Sequence, residues 1–187
     1  MTDLPRYPIE WVESTTLSDG TPVTLRPIRP QDARLLQEGF KYLSPDTIYY
    51  RFLEPIKALT DEQAQQLATL DYQSHMAFVA TILENGQERI IAEARYALVG
   101  PQEPGAAETA VTVQDDYQKR GLGSLLSNRL IRYAQLKGVK YFTGTIHQSN
   151  APIMRFIRSW GQPVEREIVE PGVIQFRVRI VEDDPTA

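Results

Sequence analysis

The chain has 187 residues, 42% hydrophobic and 24% charged, which is the composition of a single globular domain with a core of its own. A net charge of −4 and the lack of a basic run argue against nucleic acid as a partner. With no cysteine, two histidines and no apolar stretch long enough to cross a membrane, we expect a cytoplasmic protein that uses neither a metal nor a membrane.

The N-terminal part predicts an appendage followed by a strand. Residues 1–22 are expected to form an N-terminal extension or hairpin arm, with a turn at Ser18-Asp19-Gly20. Val23–Ile28 alternates apolar and polar side chains, as a half-buried strand does. We expect one domain over residues 23–181 and a disordered acidic tail over residues 182–187.

Three helices are predicted next. Proline at position 30 suits the first turn of a helix that reaches about Tyr42. Ser44 begins a second helix, and Thr60 with Gln63 has the spacing of a capping box for a third. The aromatic side chains of the second helix are expected in the core rather than in a site: Tyr49, Tyr50 and Phe52.

The middle of the chain predicts a meander of three strands, namely His75–Glu84, Arg89–Leu98 and Ala106–Val113. Asn85-Gly86 is a strong hairpin signal between the first two. A helix, a strand, a helix and a closing hairpin are expected after it: Gly121–Lys137, Lys140–His147, Asn150 to Trp160-Gly161, and Pro163–Val169 with Val173–Ile180. This order favours an α/β fold with a mixed sheet over a doubly wound one.

The segment Val111–Ser124, with the sequence VTVQDDYQKRGLGS, carries the strongest functional signal. A strand runs into a short polar loop, and two glycines open a helix. Backbone N–H groups at such a helix start converge on an anion such as a pyrophosphate. The Walker and Rossmann patterns are both absent. The alternative is an ordinary helix start whose glycines serve packing.

Within this loop, QKRGLG resembles the Q/R-x-x-G-x-G/A motif of the GNAT superfamily of N-acetyltransferases. The chain is most similar to the catalytic domain of bacterial protein lysine acetyltransferases, through the segments TPVTLRPIRPQDARLL, LSPDTIYYRF and LDYQSHMAFVA. The resemblance implies a central, mostly antiparallel sheet that is splayed between the family's strands 4 and 5, with helices on both faces. Such domains often come fused to a nucleotide-sensing or synthetase-like domain, which we do not expect in this sequence.

The resemblance also implies that acetyl-CoA is the co-substrate and indicates which residues bind it. Backbone groups of Val111 and Val113 would pair with the pantetheine arm as an added strand does. The other implied binding residues are Gln118, Lys119, Arg120, Gly121, Leu122, Gly123, Ser124 and Asn150. Asn150 is equally suited to be a plain helix cap.

For catalysis the resemblance implies Glu108, ten residues before Gln118, as the general base. The alternative is a solvent-facing glutamate on an exposed strand. Many GNAT enzymes carry a tyrosine general acid where this chain has Ile157, so no general acid is named. His147 is either a second base or a structural residue.

The leading hypothesis is therefore a transferase that moves an acetyl group from acetyl-CoA to a protein lysine. A small-molecule amine acetyltransferase and a non-catalytic acyl-CoA sensor are the alternatives. The partners expected are acetyl-CoA, a protein lysine or small amine, and a second copy of the chain in a homo-oligomer.

Overall fold

The structure, a computed structural model, describes residues 5–160 and 162–180. The predictions that concern Gly161 and the tail at 182–187 lie outside these residues. The strands are β1 (Glu13–Thr16), β2 (Pro22–Pro27), β3 (His75–Glu84), β4 (Gln87–Leu98), β5 (Ala106–Val113), β6 (Tyr141–His147), β7 (Val164–Glu170) and β8 (Val173–Arg179). The α-helices are α1 (Ala33–Phe40), α2 (Pro45–Phe52), α3 (Asp61–Ala68), α4 (Leu122–Leu136) and α5 (Ala151–Arg158).

All eight strands form one sheet in the order β1-β2-β3-β4-β5-β6-β8-β7. Every neighbouring pair is antiparallel except β5 and β6, which are parallel. The mixed, mostly antiparallel sheet expected from the sequence is thereby confirmed. The hairpin at Asn85-Gly86 is confirmed too, since both residues have the positive φ angles, 53° and 77°, that its tight turn requires.

Helices cover both faces of the sheet. On one face, α4 packs against β3, β4 and β5 through side chains spaced three or four residues apart, all of them at most 5% exposed. These are Leu122, Leu126, Leu130 and Tyr133. Helix α5 lies on the same face, where Trp160 just beyond it meets the ring of Phe142 in β6. The opposite face carries α1 over β4 and α2 over β5.

The segment expected to form an N-terminal arm packs onto the body of the fold. Strand β1 pairs with β2, and the Trp11 ring lies 5.2 Å from Tyr133 and 5.6 Å from Phe78. The single helix predicted from Pro30 to Tyr42 is wrong in detail. A 3-10 turn, Pro30–Asp32, precedes α1, because the Asp32 carboxylate accepts hydrogen bonds from Arg26 and from the Arg29 amide.

The sheet opens between its two parallel strands. Strands β5 and β6 pair at three positions only, the last being Glu108 with Thr143. The next residue of β6 is Gly144, where a Cβ would come within 2.8 Å of the Phe176 ring and 3.1 Å of the Thr109 carbonyl oxygen. Because glycine leaves this space free, the Phe176 ring fits at the point where the strands part.

Candidate functional site

A groove of about 620 Å³ occupies the opening between β5 and β6. One wall is the free edge of β5, and one end is the start of α4. Helix α2 closes the groove on one face of the sheet, and α5 closes it on the other. Every element that the sequence indicated for cofactor binding therefore reaches the same space.

The edge of β5 presents backbone groups to the groove. Just beyond the strand, the Gln114 amide donates to the Ile91 carbonyl oxygen of β4 at 2.9 Å. Because backbone groups alternate in direction along a strand, Val111 and Val113 point away from β4 and into the opening. The Val113 carbonyl oxygen accepts from Gln118 Nε2 at 3.2 Å. The free edge of this strand suits an extended ligand that pairs as a further strand.

The start of α4 is an uncapped helix N-terminus. Gly121 takes the N-cap position with φ 86° and makes no side-chain cap. The first intrahelical bond runs from the Leu125 amide to the Gly121 carbonyl oxygen. The amides of Leu122, Gly123 and Ser124 therefore have no intrahelical partner and lie at the groove. A helix of 15 residues adds a partial positive charge at this end, which suits an anion.

The two loop glycines differ in how strictly the backbone calls for glycine. Gly121 has open space where a Cβ would be, so only its positive φ angle calls for glycine. Gly123 has an ordinary backbone, and a Cβ there would lie 3.6 Å from the Phe156 ring, in van der Waals contact. Alanine therefore fits at position 123 and is strained at position 121.

Nearly all the cofactor-binding residues expected from the sequence line the groove: Val111, Val113, Gln118, Lys119, Gly121, Leu122, Gly123, Ser124 and Asn150. Arg120 is not among the lining residues. Its guanidinium pairs with Asp19 at 2.5 Å and lies over the Tyr117 ring. Asn150 caps α5, since its Oδ1 accepts from the Ile153 amide at 3.3 Å. It also lines the groove, and its contact with a cofactor stays a prediction.

Glu108 lies at the last paired position of β5, just before the groove begins. Its side chain is exposed and is not part of the groove lining. It shares a sheet face with Thr112, and also with Glu93 and Arg95 of β4, which form an ion pair. This is the face that α2 covers.

Helix α2 is the part of the site that the sequence did not indicate. The aromatic cluster was expected in the core, which is wrong for two of its members, since Tyr49 is 37% exposed and Tyr50 lines the groove. Thr47 and Arg51 line it as well. Thr47, Tyr50 and Arg51 stand at positions i, i+3 and i+4 of one helix, and this polar stripe is the pattern from which the sequence could have indicated the site.

Asp115 ties the first turn of α2 to the loop between β5 and α4. The Asp115 carboxylate accepts from the Ser44 amide at 2.9 Å, the Ser44 hydroxyl at 2.7 Å and the Thr47 hydroxyl at 2.9 Å. Burial acts to raise the pKa of Asp115, but these hydrogen bonds outweigh it and hold the pKa below its usual value. Gln118 adds a contact of 3.4 Å from its Nε2 to the Thr47 hydroxyl.

Near its other end, α2 reaches across the groove. The Tyr50 hydroxyl shares a hydrogen bond with Ser149 Oγ at 3.2 Å, and Ser149 Oγ lies 2.6 Å from His147 Nδ1. The His147 ring also meets the Tyr49 ring edge-on at 5.7 Å between centroids. His147 is thus held by the β6–α5 connection and is not itself a groove-lining residue.

Within residues 5–160 and 162–180 no three His, Asp or Glu side chains cluster in a way that could hold a metal. Over the same residues, none of the helices combines the length and the apolar character needed to span a bilayer.

Comparison with known proteins gives consistent matches. A sequence model of the Acetyltransferase (GNAT) family matches residues 41–161. The chain is 42% identical over 130 residues to the acetyltransferase PA5475 of Pseudomonas aeruginosa, covering 70% of this chain and 68% of that one. It is 33% identical over 156 residues to the acetyltransferase Pat of Mycolicibacterium smegmatis, covering 83% of this chain but 45% of Pat.

Among solved structures, the GNAT domain of S. lividans PAT superposes with a TM-score of 0.83 at 27% identity. The match covers 93% of this chain and 99% of that domain. The chain spans less than half of the length of the M. smegmatis Pat that it matches.

Proposed function

Because this chain belongs to the GNAT family of acetyltransferases, we propose that it transfers the acetyl group of acetyl-CoA to the side-chain amine of a protein lysine. Glu108 acts as the general base. The preference for lysine follows the similarity to bacterial protein lysine acetyltransferases in the segments around β2, α2 and β3. It also fits the match to the GNAT domain of S. lividans PAT.

One observation carries the donor part of the proposal: a free strand edge runs directly to an uncapped helix N-terminus. The backbone of Val111 and Val113 faces the opening, and the free amides of Leu122, Gly123 and Ser124 lie at one end of it. An extended amide chain joined to a diphosphate matches both features in that order, because it pairs along the strand and places its anion at the helix. Acetyl-CoA is such a molecule, and its thioester supplies the acetyl group.

The acceptor amine must lose a proton before it attacks. A lysine ammonium has a pKa near 10.4, so freeing its lone pair at pH 7 costs about 4–5 kcal/mol. The Glu108 carboxylate accepts this proton, directly or through a water. The amine nitrogen then bonds to the thioester carbon, and the Val111 N–H stabilises the developing oxyanion. As the intermediate collapses, the carbon–sulfur bond breaks, CoA leaves as its thiolate, and the second proton of the nitrogen passes to solvent. No covalent enzyme intermediate is involved.

Two measurements test the proposal. Isothermal titration calorimetry with CoA should give saturable heat, and cell lysate incubated with the enzyme and acetyl-CoA should gain acetyl-lysine sites detectable by mass spectrometry. A panel of small amines is assayed in parallel. Turnover of a small amine without protein acetylation would assign the acceptor to that class instead. Tight CoA binding without transfer to any acceptor would make the protein a sensor.

A further inference from the structure

Arg51 is a charged residue with no direct hydrogen-bond or ion-pair partner among the described residues. It lies in the last turn of α2 and is half-buried, and it lines both the groove and an adjoining apolar cavity of about 60 Å³. Among the described residues its guanidinium makes no hydrogen bond and no ion pair within 4.0 Å. Its guanidinium carbon lies 4.9 Å from the centroid of the neighbouring Phe52 ring.

The charges around Arg51 leave it undercompensated. Of the two nearby carboxylates, Glu93 is already paired with Arg95, and Glu108 is the base of the proposed reaction. Burial lowers the pKa of Arg51 from its usual value, and the fields of Glu93 and Glu108 do not restore it. A guanidinium in this setting is stabilised by a further anion that arrives from the groove.

The position of Arg51 argues against a role in holding the diphosphate. The loop between β5 and α4, where the diphosphate would bind, is tied to the first turn of α2 through Ser44 and Asp115. Arg51 stands seven residues after Ser44, about 10 Å further along the helix at 1.5 Å per residue. It therefore lies away from that loop, at the other end of α2, on the sheet face that carries Glu108.

Attraction to the helix dipole does not explain this burial either. Arg158 has the same place in α5, the last turn of a helix of eight residues, and its side chain is exposed to water. A cation at a helix C-terminus gains its stabilisation at the surface. Arg51 instead gives up hydration to face the groove.

We propose that Arg51 binds a carboxylate that the acceptor carries close to its reactive amine. The inference rests on the proposed function and deepens it. The ammonium of the acceptor meets Glu108 while its carboxylate meets Arg51, so two opposite charges on the enzyme match two on the substrate. An acidic side chain next to the acceptor lysine supplies this carboxylate in a protein, and the α-carboxylate supplies it in a free amino acid.

Matched acceptors test the inference on the native enzyme. One arm compares two lysine peptides that differ only in Asp or Asn beside the lysine, and the other compares free amino acids with their α-carboxamides. We expect kcat/KM to be about tenfold or more higher for the carboxylate member of a pair, as for a charge-assisted hydrogen bond. A preference in the peptide arm identifies an acidic side chain as the source, and a preference confined to the second arm identifies the α-carboxylate.

The variant Arg51→Gln removes the charge and shortens the side chain but keeps it polar, so the carboxylate-to-amide ratio should fall to about one. Arg158→Gln is the matched control and should keep the native ratio. Because each ratio is internal to one enzyme, a partial loss of folded protein does not affect it.

Two outcomes would overturn the inference: equal kcat/KM for both members of every pair in the native enzyme, or a preference that survives in Arg51→Gln. Either leaves the proposed function standing, because acetyl transfer is still observed. Absence of transfer to all acceptors would instead refute the proposed function, and with it the inference.

Discussion

Replacing Glu108 by glutamine isolates the step in which the acceptor loses its proton. Glutamine keeps the size and planarity of the side chain but cannot accept a proton at neutral pH. Glu108 is exposed on its strand and has no ion-pair partner within 4.0 Å among the described residues, so the substitution leaves no buried group unsatisfied. Any loss of turnover in Glu108→Gln therefore reports chemistry rather than folding.

The expected loss follows from the lysine pKa. About 3.4 pH units separate a pKa of 10.4 from pH 7, so about one lysine in 2,500 carries a free amine at that pH. A positioned general base is worth about 10²- to 10⁴-fold, and we expect kcat to fall by that factor. Affinity for acetyl-CoA should be unchanged, because the residues that line the donor groove do not include Glu108.

The pH profile provides a second readout. Without the base, the rate depends on amine that is already free, and this fraction rises about tenfold per pH unit up to the lysine pKa. The deficit of Glu108→Gln should therefore shrink steadily between pH 7 and pH 9. Acetyl transfer to a lysine peptide is measured by thiol release at saturating acetyl-CoA. Glu167→Gln, which alters an exposed glutamate on the edge strand β7, is the control and should match the native enzyme.

A kcat for Glu108→Gln within threefold of the native value at pH 7 would refute the reasoning. Parallel pH profiles for the two enzymes would refute it as well, because removal of the general base must change how the rate depends on pH. In either case the proton would have to leave by another route, and Glu108 would be no more than an exposed strand residue.

Three further predictions concern the groove. Gly121→Ala forces a side chain into the left-handed region of backbone angles, which costs about 1–2 kcal/mol, so calorimetry should show acetyl-CoA binding weakened about tenfold. Gly123→Ala is the control, and its affinity should stay within about twofold of the native value; equal effects of the two substitutions would contradict the geometry. Because the pKa of Asp115 is lower in the folded state than in the unfolded state, its ionised carboxylate contributes stability that is complete above the unfolded pKa near 4 and is lost as pH falls through the folded pKa. Urea unfolding should therefore show the free energy of unfolding declining below about pH 4, and declining less steeply in Asp115→Asn. Gly144→Ala should lower the free energy of unfolding by about 1–3 kcal/mol, because the new methyl group collides with the Phe176 ring. Adding Phe176→Leu should recover part of the lost stability, and no recovery would mean that the strain lies elsewhere.

The sequence predicted the strands well wherever local chemistry determines them. Strands β3 and β5 have the bounds expected, because a hairpin signal follows the first and a loop rich in glycine and proline precedes the second. The parts that could not be predicted depend on distant contacts. Arg120 was expected at the rim of the groove, but its partner Asp19 is 101 residues away in the chain. No local pattern reveals such a pair.

Helix α2 shows the same limit within the site. Its start was predictable, since the Ser44 hydroxyl caps it by accepting from the Thr47 amide. Its orientation was not, because aromatic residues on a short helix are more often core than binding surface. Only the hydrogen bonds to Asp115, 71 residues further on in the chain, decide that its polar stripe faces the groove.

These contacts explain how a guanidinium without a protein partner is held in place. The first turn of α2 is fixed by Asp115 to the loop that begins the anion site, and Tyr50 joins the last turn to Ser149 on the other side of the groove. A helix of eight residues attached near both ends has little freedom to tilt, so the direction of Arg51 is set by its backbone rather than by an ion pair. The same contacts join the start of the proposed donor site to the helix that carries Arg51, and the proposed direct transfer requires its two substrates to be held in a fixed relation.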